Sequence, residues 1–225
     1  MSGIFELFIP GVKVGDIYKY ELKLKGNRIE LKSDPYAACT EVPPAGASVV
    51  ADTGAFQWED EEWMAGRKKF ADRKQPVSIY ETSLTDWKDG EELVEFVKKL
   101  NYTHVELHPV MEYLDDEAGE YSTFAYYAPT RRFGMPQDFQ KTVNELHKAG
   151  IGLILDWTPS HFPRVEGGLE LFDGTPLYER QNPAEAIHPF WGTLLYNYGS
   201  PMVKDFLISN ACFWAEVYHA DGLRT

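Results

Sequence analysis

The amino-acid sequence predicts an α/β protein in which part of a (β/α)8 barrel follows an all-β region. From residue 77 onward, strand-like apolar stretches alternate with amphipathic helical stretches, which is typical of a parallel sheet with right-handed crossovers. Before residue 75 the apolar residues alternate with a period of two. The sequence has no GxGxxG after a strand and no GxxxxGK[ST], the phosphate-binding loops of open nucleotide-binding sheets. Their absence favours the barrel.

The first region is predicted to contain a β-hairpin. The stretch "DIYKYELKL" (16 to 24) and the stretch "RIELKSD" (28 to 34) flank a Gly-Asn pair suited to a turn. One face of the first stretch carries Tyr18, Tyr20, Leu22 and Leu24. The segment "WEDEEWMAGRKKFADRKQP" (58 to 76) is charged, has no clean period and is predicted to be a connector. We therefore expect a first domain at 1–75 and a second at 76–225.

The second region contains four predicted strands and three predicted helices. The strands are expected at 77–84, 104–110, 151–157 and 221–225, and the helices at 91–101, 136–150 and 201–219. Apolar residues recur at helical spacing in the first helix, namely Leu93, Phe96, Val97 and Leu100. Pro136 near the start and Gly150 at the end of the second helix act as start and stop signals.

The composition limits the partners that the protein is expected to have. With 35 acidic and 22 basic residues the formal net charge is −13, which disfavours nucleic acids and anionic membranes. Cys39 and Cys212 are far apart and form no CxxC, so neither a disulfide framework nor a thiolate metal site is indicated. No apolar segment approaches the roughly 20 residues of a membrane helix, and no basic region precedes the short N-terminal apolar run. We expect a soluble, cytoplasmic protein without a cofactor.

Polar residues at the predicted strand ends are candidates for a binding site, because ligands of parallel α/β folds lie there. Asp156 and His161 follow "IGLIL"; a carboxylate can orient a cation, and an imidazole can donate to a sugar hydroxyl or move a proton. Arg224, near the end of the fourth strand, could hold a carboxylate with two hydrogen bonds. The alternative is that Asp156 caps the turn before Pro159 and that His161 and Arg224 are surface residues.

The long loop at 111–134 is rich in tyrosine and glutamate. Aromatic rings stack on sugar rings, and charged groups bond sugar hydroxyls, so this composition favours a neutral polar ligand. The candidates are Tyr121, Tyr126, Tyr127, Arg131 and Arg132. For any single tyrosine, packing of the loop onto the barrel is the stronger interpretation.

The second predicted strand carries three potential metal ligands on one face. His104, Glu106 and His108 alternate along "HVELHPV", as residues on one face of a strand do. Metal ligands usually come from several elements of a fold. Packing is therefore favoured over a metal site.

Seven segments, in order, resemble those of bacterial 1,4-α-glucan (glycogen) branching enzymes of the α-amylase superfamily. They are "GIFELFIPGVKVGDIYKYELKLKGNRIELKSDPYA", "SIYETSLTDWK", "VELHPVMEY", "YYAPTRRFG", "ILDWTPSHFP", "LYNYG" and "DGLR". The resemblance implies that the first region is the later part of a carbohydrate-binding β-sandwich. It implies that the second region is the first half of a catalytic (β/α)8 barrel, truncated at the fourth strand, and that the partner is an α-glucan such as glycogen or amylose.

The resemblance also implies residue roles. His161 matches the histidine that contacts the glucose whose bond is broken, and Asp156 matches an aspartate that supports the nearby charges. Tyr121 matches the tyrosine that stacks under that glucose, and Arg224 the arginine that steadies the nucleophile. The sequence departs from the family at Gly119–Ser122, where the family usually has Trp, Tyr and Gln, so the shape of the subsite is open. In the motif after the third strand, Thr158 and Ser160 replace the usual valine and glycine, which is a milder departure.

The resemblance places the catalytic carboxylates outside this sequence. The nucleophilic aspartate is expected two positions beyond Arg224, and the sequence has one residue there; the acid/base glutamate belongs to a later strand. A retaining transfer needs both carboxylates, roughly 5 Å apart. We therefore expect a fragment that is inactive alone. The alternatives are a trehalose-forming hydrolase of the same superfamily and a glucan-binding protein without catalysis.

Overall fold

The computed structural model describes residues 7–71 and 75–225. Its first four strands are short and antiparallel. They are β1 (Ile17–Tyr18), β2 (Tyr20–Lys23), β3 (Ile29–Lys32) and β4 (Ser48–Val49). Strands β2 and β3 pair from Tyr20 opposite Lys32 to Lys23 opposite Ile29, and β1 pairs with β4. Asn27 adopts a φ of 60° in the turn, a left-handed conformation that asparagine tolerates. The hairpin predicted from the sequence is present.

Two short helices occupy the segment that the sequence predicted to be a connector. Helix α1 spans Glu61–Gly66 and α2 spans Lys68–Ala71. Trp63 of α1 is buried, and its indole N–H donates to the Asp221 carboxylate at 3.0 Å. With six and four residues, these helices are too short to show a helical period in the sequence. The connector prediction missed them for that reason.

From residue 79 the four strands of a parallel sheet are separated by helices, and two pairs of antiparallel strands are inserted between them. The chain passes through β5 (Ile79–Thr82), α3 (Gly90–Lys99), β6 (His104–Leu107), β7 (Met111–Tyr113), β8 (Thr123–Pro129), α4 (Pro136–Lys148), β9 (Gly152–Asp156), β10 (His161–Phe162), α5 (Pro183–Ala186), β11 (Leu194–Leu195), α6 (Pro201–Val217) and β12 (Gly222–Arg224). Strands β7 and β8, and likewise β10 and β11, form antiparallel pairs after the second and third parallel strands.

A four-stranded parallel sheet organises this region, with the strand order β12-β9-β6-β5. The mixed α/β class and the parallel sheet predicted from the sequence are confirmed. All four strands lie inside their predicted ranges but are shorter, because a strand ends where its neighbour no longer offers a backbone partner. The register sets Arg224 beside Asp156 and Glu106 beside Glu81, all at the carboxyl ends of their strands.

The main core lies between this sheet and helices α3, α4 and α6. Its fully buried side chains include Leu93, Val97, Val143, Leu146 and Trp214. Two residues of the predicted apolar face of α3 lie at the edge of this core, since Phe96 is 37% and Leu100 is 49% exposed. Phe96 still contacts the rings of Tyr80 and Trp87. In the described part of the chain, no helix is long and apolar enough to cross a membrane.

Candidate active site

The carboxyl ends of β9 and β12 bring Asp156 and Arg224 into contact. Nη1 of Arg224 donates to Oδ2 of Asp156 at 2.5 Å, and Nε lies 3.4 Å from Oε1 of Glu106 on β6. Asp156 is only 4% exposed, whereas half of the Arg224 side chain is exposed. The negative charge of Asp156 raises the pKa of the guanidinium. In this pair, the buried carboxylate of Asp156 holds the guanidinium of Arg224 at the carboxyl ends of the strands.

Tyr121 reaches the same carboxylate from the loop between β7 and β8. Its hydroxyl donates to Oδ2 of Asp156 at 2.5 Å, and 43% of the residue is exposed. Burial, followed by this hydrogen bond, raises the pKa of Tyr121 to about 12. The hydroxyl therefore stays protonated at neutral pH and remains a donor to Asp156. Two of the four predicted site residues, Tyr121 and Arg224, therefore converge on one oxygen atom of a third, Asp156.

His161, the fourth predicted site residue, begins β10 and pairs with Leu195 of β11. Its Nδ1 lies 2.8 Å from Oγ of Ser160, and its carbonyl accepts a hydrogen bond from Tyr126. Burial, followed by the nearby His188, lowers the pKa of His161, so the imidazole is neutral at pH 7. Within residues 7–71 and 75–225, no hydrogen bond joins its side chain to Asp156 or Tyr121.

His108 and Glu120 adjoin the site but were not predicted as members of it. His108 lies between two carboxylates, with Nε2 at 3.4 Å from Glu81 and Nδ1 at 3.3 Å from Glu120. Its ring centroid is 6.3 Å from that of Tyr121, and Glu120 also accepts a hydrogen bond from Ser83. A cavity of about 880 Å³ opens beside these residues. The sequence had marked His108 only as a potential metal ligand, and Glu120 only as a departure from the family pattern.

The other aromatic and basic candidates of the loop stabilise the fold. Tyr126 is 1% exposed and donates to the His161 carbonyl, and Tyr127 donates to the carbonyl of Phe206. Arg132 forms a 2.5 Å ion pair with the buried Glu112. Arg131 contacts Cys39 at 3.4 Å. For the two tyrosines the packing interpretation agrees with these contacts; Arg131 and Arg132 likewise contact residues of the protein.

The three residues considered as metal ligands on β6 have different partners. His104 is buried beside Trp63 and lies 2.9 Å from the Thr103 hydroxyl, whereas Glu106 faces Arg224 and His108 faces Glu81 and Glu120. They do not converge on one point.

Among the described residues, the cluster with metal-ligand composition is Asp60, His147 and His219. It lies at the amino ends of the strands. The Nδ1 atoms of His147 and His219 each lie 2.7 Å from Oδ2 of Asp60, which is a hydrogen-bonding distance.

Comparison with solved structures defines the fold class. No family model matches the chain. A Salmonella typhimurium protein assigned as an α-amylase superposes with a TM-score of 0.76 and 23% identity, over 96% of this chain and 35% of that protein. The catalytic module of the glycogen-degrading pneumococcal virulence factor SpuA gives a TM-score of 0.68 and 18% identity, over 92% and 36%. The chain has the fold of the α-amylase class of proteins.

Curated relatives make the relationship more specific. A 1,4-α-glucan branching enzyme GlgB of Kitasatospora aureofaciens is 47% identical over 230 residues, and one of Cellvibrio japonicus is 45% identical over 236 residues. Each match covers 99% of this chain, but only 30% and 32% of the relative. The chain is thus a homologue of the 1,4-α-glucan branching enzymes and spans about a third of their length. The resemblance found in the sequence is confirmed.

Proposed function

We propose that the chain forms part of the active site of a 1,4-α-glucan branching enzyme. Such an enzyme cleaves an α-1,4 bond of a glucan and transfers the released chain to a 6-hydroxyl, which creates an α-1,6 branch. One observation carries the proposal: Tyr121 and Arg224 converge on Asp156 at the carboxyl ends of the parallel strands, where α/β enzymes bind substrate. The names of the relatives favour branching over trehalose formation.

Each residue of the cluster has a role that follows from its contacts. The half-exposed ring of Tyr121 is proposed to stack under the glucose whose bond is broken. Asp156 holds both the hydroxyl of this tyrosine and the guanidinium of Arg224 in place. Arg224 is proposed to hold the nucleophilic carboxylate that the family has two positions further on, since its guanidinium is still half exposed.

His161 is proposed to bond a hydroxyl of the same glucose. Its Nδ1 is already engaged by Ser160, so Nε2 is the nitrogen assigned to the sugar. Because burial lowers the pKa of this histidine, a neutral imidazole is available at neutral pH. A neutral imidazole suits an uncharged sugar, because binding the sugar then does not remove an unpaired charge from water.

The chemistry of branching requires groups beyond these. The transfer passes through a covalent glycosyl intermediate, formed on one carboxylate and released with the help of another, roughly 5 Å away. We assign both carboxylates to the part of the relatives that this chain does not span. The 225-residue polypeptide is therefore proposed to bind α-glucan without transferring it.

The finer architecture belongs to the same proposal. Strands β5 and β12 lie at the two edges of the parallel sheet and are the positions where further strands would close a (β/α)8 barrel. The antiparallel strands before residue 75 are proposed to be part of a carbohydrate-binding β-sandwich, with residues 1–75 and 76–225 as the two domains. With a net charge of −13 we propose a neutral glucan as partner, a cytoplasmic location, and neither nucleic acid nor membrane as ligand.

Affinity electrophoresis in a glycogen-containing gel tests this function. The wild-type chain is expected to be retarded, and Tyr121→Ala is expected to lose most of the retardation because the stacking ring is removed. Tyr121→Phe is the matched variant, since it keeps the ring and loses only the hydroxyl. Absence of retardation for the folded wild-type chain would contradict the proposal. An iodine-stain assay on amylose is expected to show no branching by this polypeptide.

A further inference from the structure

A loop between α5 and β11 presents a tryptophan to solvent beside the proposed site. Trp191 is 64% exposed and its neighbour Phe190 is 89% exposed. An indole buries a large apolar area when it packs into a core, and this one lies outside the core. Core packing therefore does not explain a tryptophan at this position.

The loop holds the indole in a fixed orientation. The ring of His188 stacks on that of Trp191 at a centroid distance of 4.0 Å and an interplanar angle of 10°. Nδ1 of His188 accepts the backbone N–H groups of both Phe190 and Trp191 at 3.3 Å. The backbone N–H of His188 donates to the carbonyl of Thr193 at 2.8 Å, which closes the loop. Gly192 supplies the φ of 68° that this turn needs. The His188 ring therefore covers one face of the indole, while most of the Trp191 side chain stays exposed.

The position of the ring connects it to the proposed glucose site. Its centroid lies 4.9 Å from that of His161. Strands β10 and β11 pair His161 with Leu195, so the same ladder fixes the histidine and the base of the tryptophan loop. Tyr198, which is 47% exposed, donates to the carbonyl of Pro159 at 3.0 Å, two positions before His161.

We propose that Trp191 is a stacking platform for a second glucose unit of the α-glucan chain whose neighbouring unit contacts His161. This inference rests on the proposed function and adds a subsite to it. A rigid aromatic ring beside a neutral imidazole matches a sugar, which has an apolar face and hydroxyl groups at its rim. Because the indole lies next to His161, which is proposed to bind a glucose unit, we take the occupant to be the same glucan chain and not a protein. The platform increases affinity for chains long enough to span both positions.

Isothermal titration of the 225-residue chain with maltose and with maltohexaose tests the platform. For Trp191→Ala we expect about a tenfold loss of affinity for maltohexaose, the size of loss that one aromatic stacking contact predicts. The affinity for maltose is expected to change much less, because a short sugar can occupy the site at Tyr121 alone. Trp191→Phe, which keeps a ring, is expected to restore most of the affinity.

Phe190→Ala is the matched control, since this side chain is still more exposed and lies on the same turn. It is expected to bind both sugars like the wild-type chain, and circular dichroism checks that every variant is folded. If the wild-type chain binds maltohexaose and Trp191→Ala binds it equally well, the platform is wrong while the proposed function stands. If the wild-type chain binds neither sugar, the proposed function itself fails and the platform with it.

Discussion

The two ends of the parallel sheet carry similar side chains in very different surroundings. At the carboxyl ends, Asp156 contacts Tyr121 and Arg224, both of which are about half exposed to solvent. At the amino ends, His147 lies between Asp60 and Asp221, and the side chains of all three are less than a tenth exposed. The open cluster has room for a ligand, whereas the closed cluster has none.

The closed cluster joins three separate parts of the chain. Nδ1 of His147 lies 2.7 Å from Asp60, and Nε2 lies 3.1 Å from Asp221. Each ring nitrogen of His147 therefore lies within hydrogen-bonding distance of a carboxylate oxygen. Asp221 also accepts the backbone N–H of Leu153 at 2.8 Å and the indole N–H of Trp63 at 3.0 Å. This cluster therefore fastens α1, α4 and the start of β12 together.

The comparison shows that burial separates a structural charge cluster from a binding one. A buried ion pair is strongly destabilised when one partner is removed, because the other charge stays desolvated. Where the partner that remains is half exposed, as Arg224 is, its charge stays in water and little stability is lost. Four substitutions or titrations test this difference, and they are ordered by the size of the expected effect.

The largest effect is expected for His147→Ala. It leaves Asp60 and Asp221 as buried carboxylates without their shared partner, which should cost about 3–5 kcal/mol of unfolding free energy. Urea denaturation followed by circular dichroism measures the loss. Lys148→Ala is the control on the same helix, since that side chain forms exposed ion pairs with Glu59 and Glu145. Equal stability of the two variants would remove the distinction between the two ends.

The second effect is a pH dependence carried by Asp221. Burial raises the pKa of this carboxyl, but the hydrogen bond and charge of His147 outweigh burial, and the net pKa is lowered below 3.8. The carboxylate therefore contributes stability above about pH 4 that is lost as the pH falls through the folded-state pKa.

Asp221→Asn checks this sign. At pH 7 the variant is expected to be about 1–3 kcal/mol less stable than the wild-type chain, because charge-assisted hydrogen bonds are lost. At pH 3 the difference should shrink. Urea titrations at both pH values measure it, and a difference that grows toward acid would contradict the assignment.

At the open end, Asp156→Asn is expected to change binding more than stability. The amide keeps an acceptor for Tyr121 but removes the charge that orients Arg224. We expect a stability loss of only about 1 kcal/mol, as for a partly solvated pair, and roughly a tenfold loss of maltohexaose affinity, as when a hydrogen bond to a charged group is lost. Titration calorimetry and urea denaturation of one preparation separate the two. A large stability loss with unchanged affinity would show that the cluster at the carboxyl ends is structural as well.

The smallest effect is expected from the titration of His161. Because burial and the nearby His188 lower the pKa of His161, glucan affinity should stay constant from pH 8 down to about pH 6.5 and weaken only in more acidic buffer. Maltohexaose titrations at several pH values measure this profile. His161→Gln, which cannot be protonated, should lose the acidic decline. A decline that begins above pH 7 in the wild-type chain would oppose the assignment.

Much of the open end could be predicted from the sequence. Asp156 and Arg224 follow two strands with clear apolar runs, and neighbouring parallel strands end at the same edge of a sheet. The part played by Tyr121 came only from the family resemblance, because its long loop has no period that fixes where its side chains lie. The contact of its hydroxyl with Asp156 required the folded structure.

The closed end could not be predicted in this way. Asp60 and His147 are 87 positions apart in the sequence, and the helix that follows Asp60 is too short to show a period. The sequence by itself determined the alternation of strands and helices, the parallel sheet and the relation to branching enzymes, because apolar periodicity and motifs are local. Only the tertiary structure decided which of two charge clusters is open and which is buried, because burial depends on packing between distant segments.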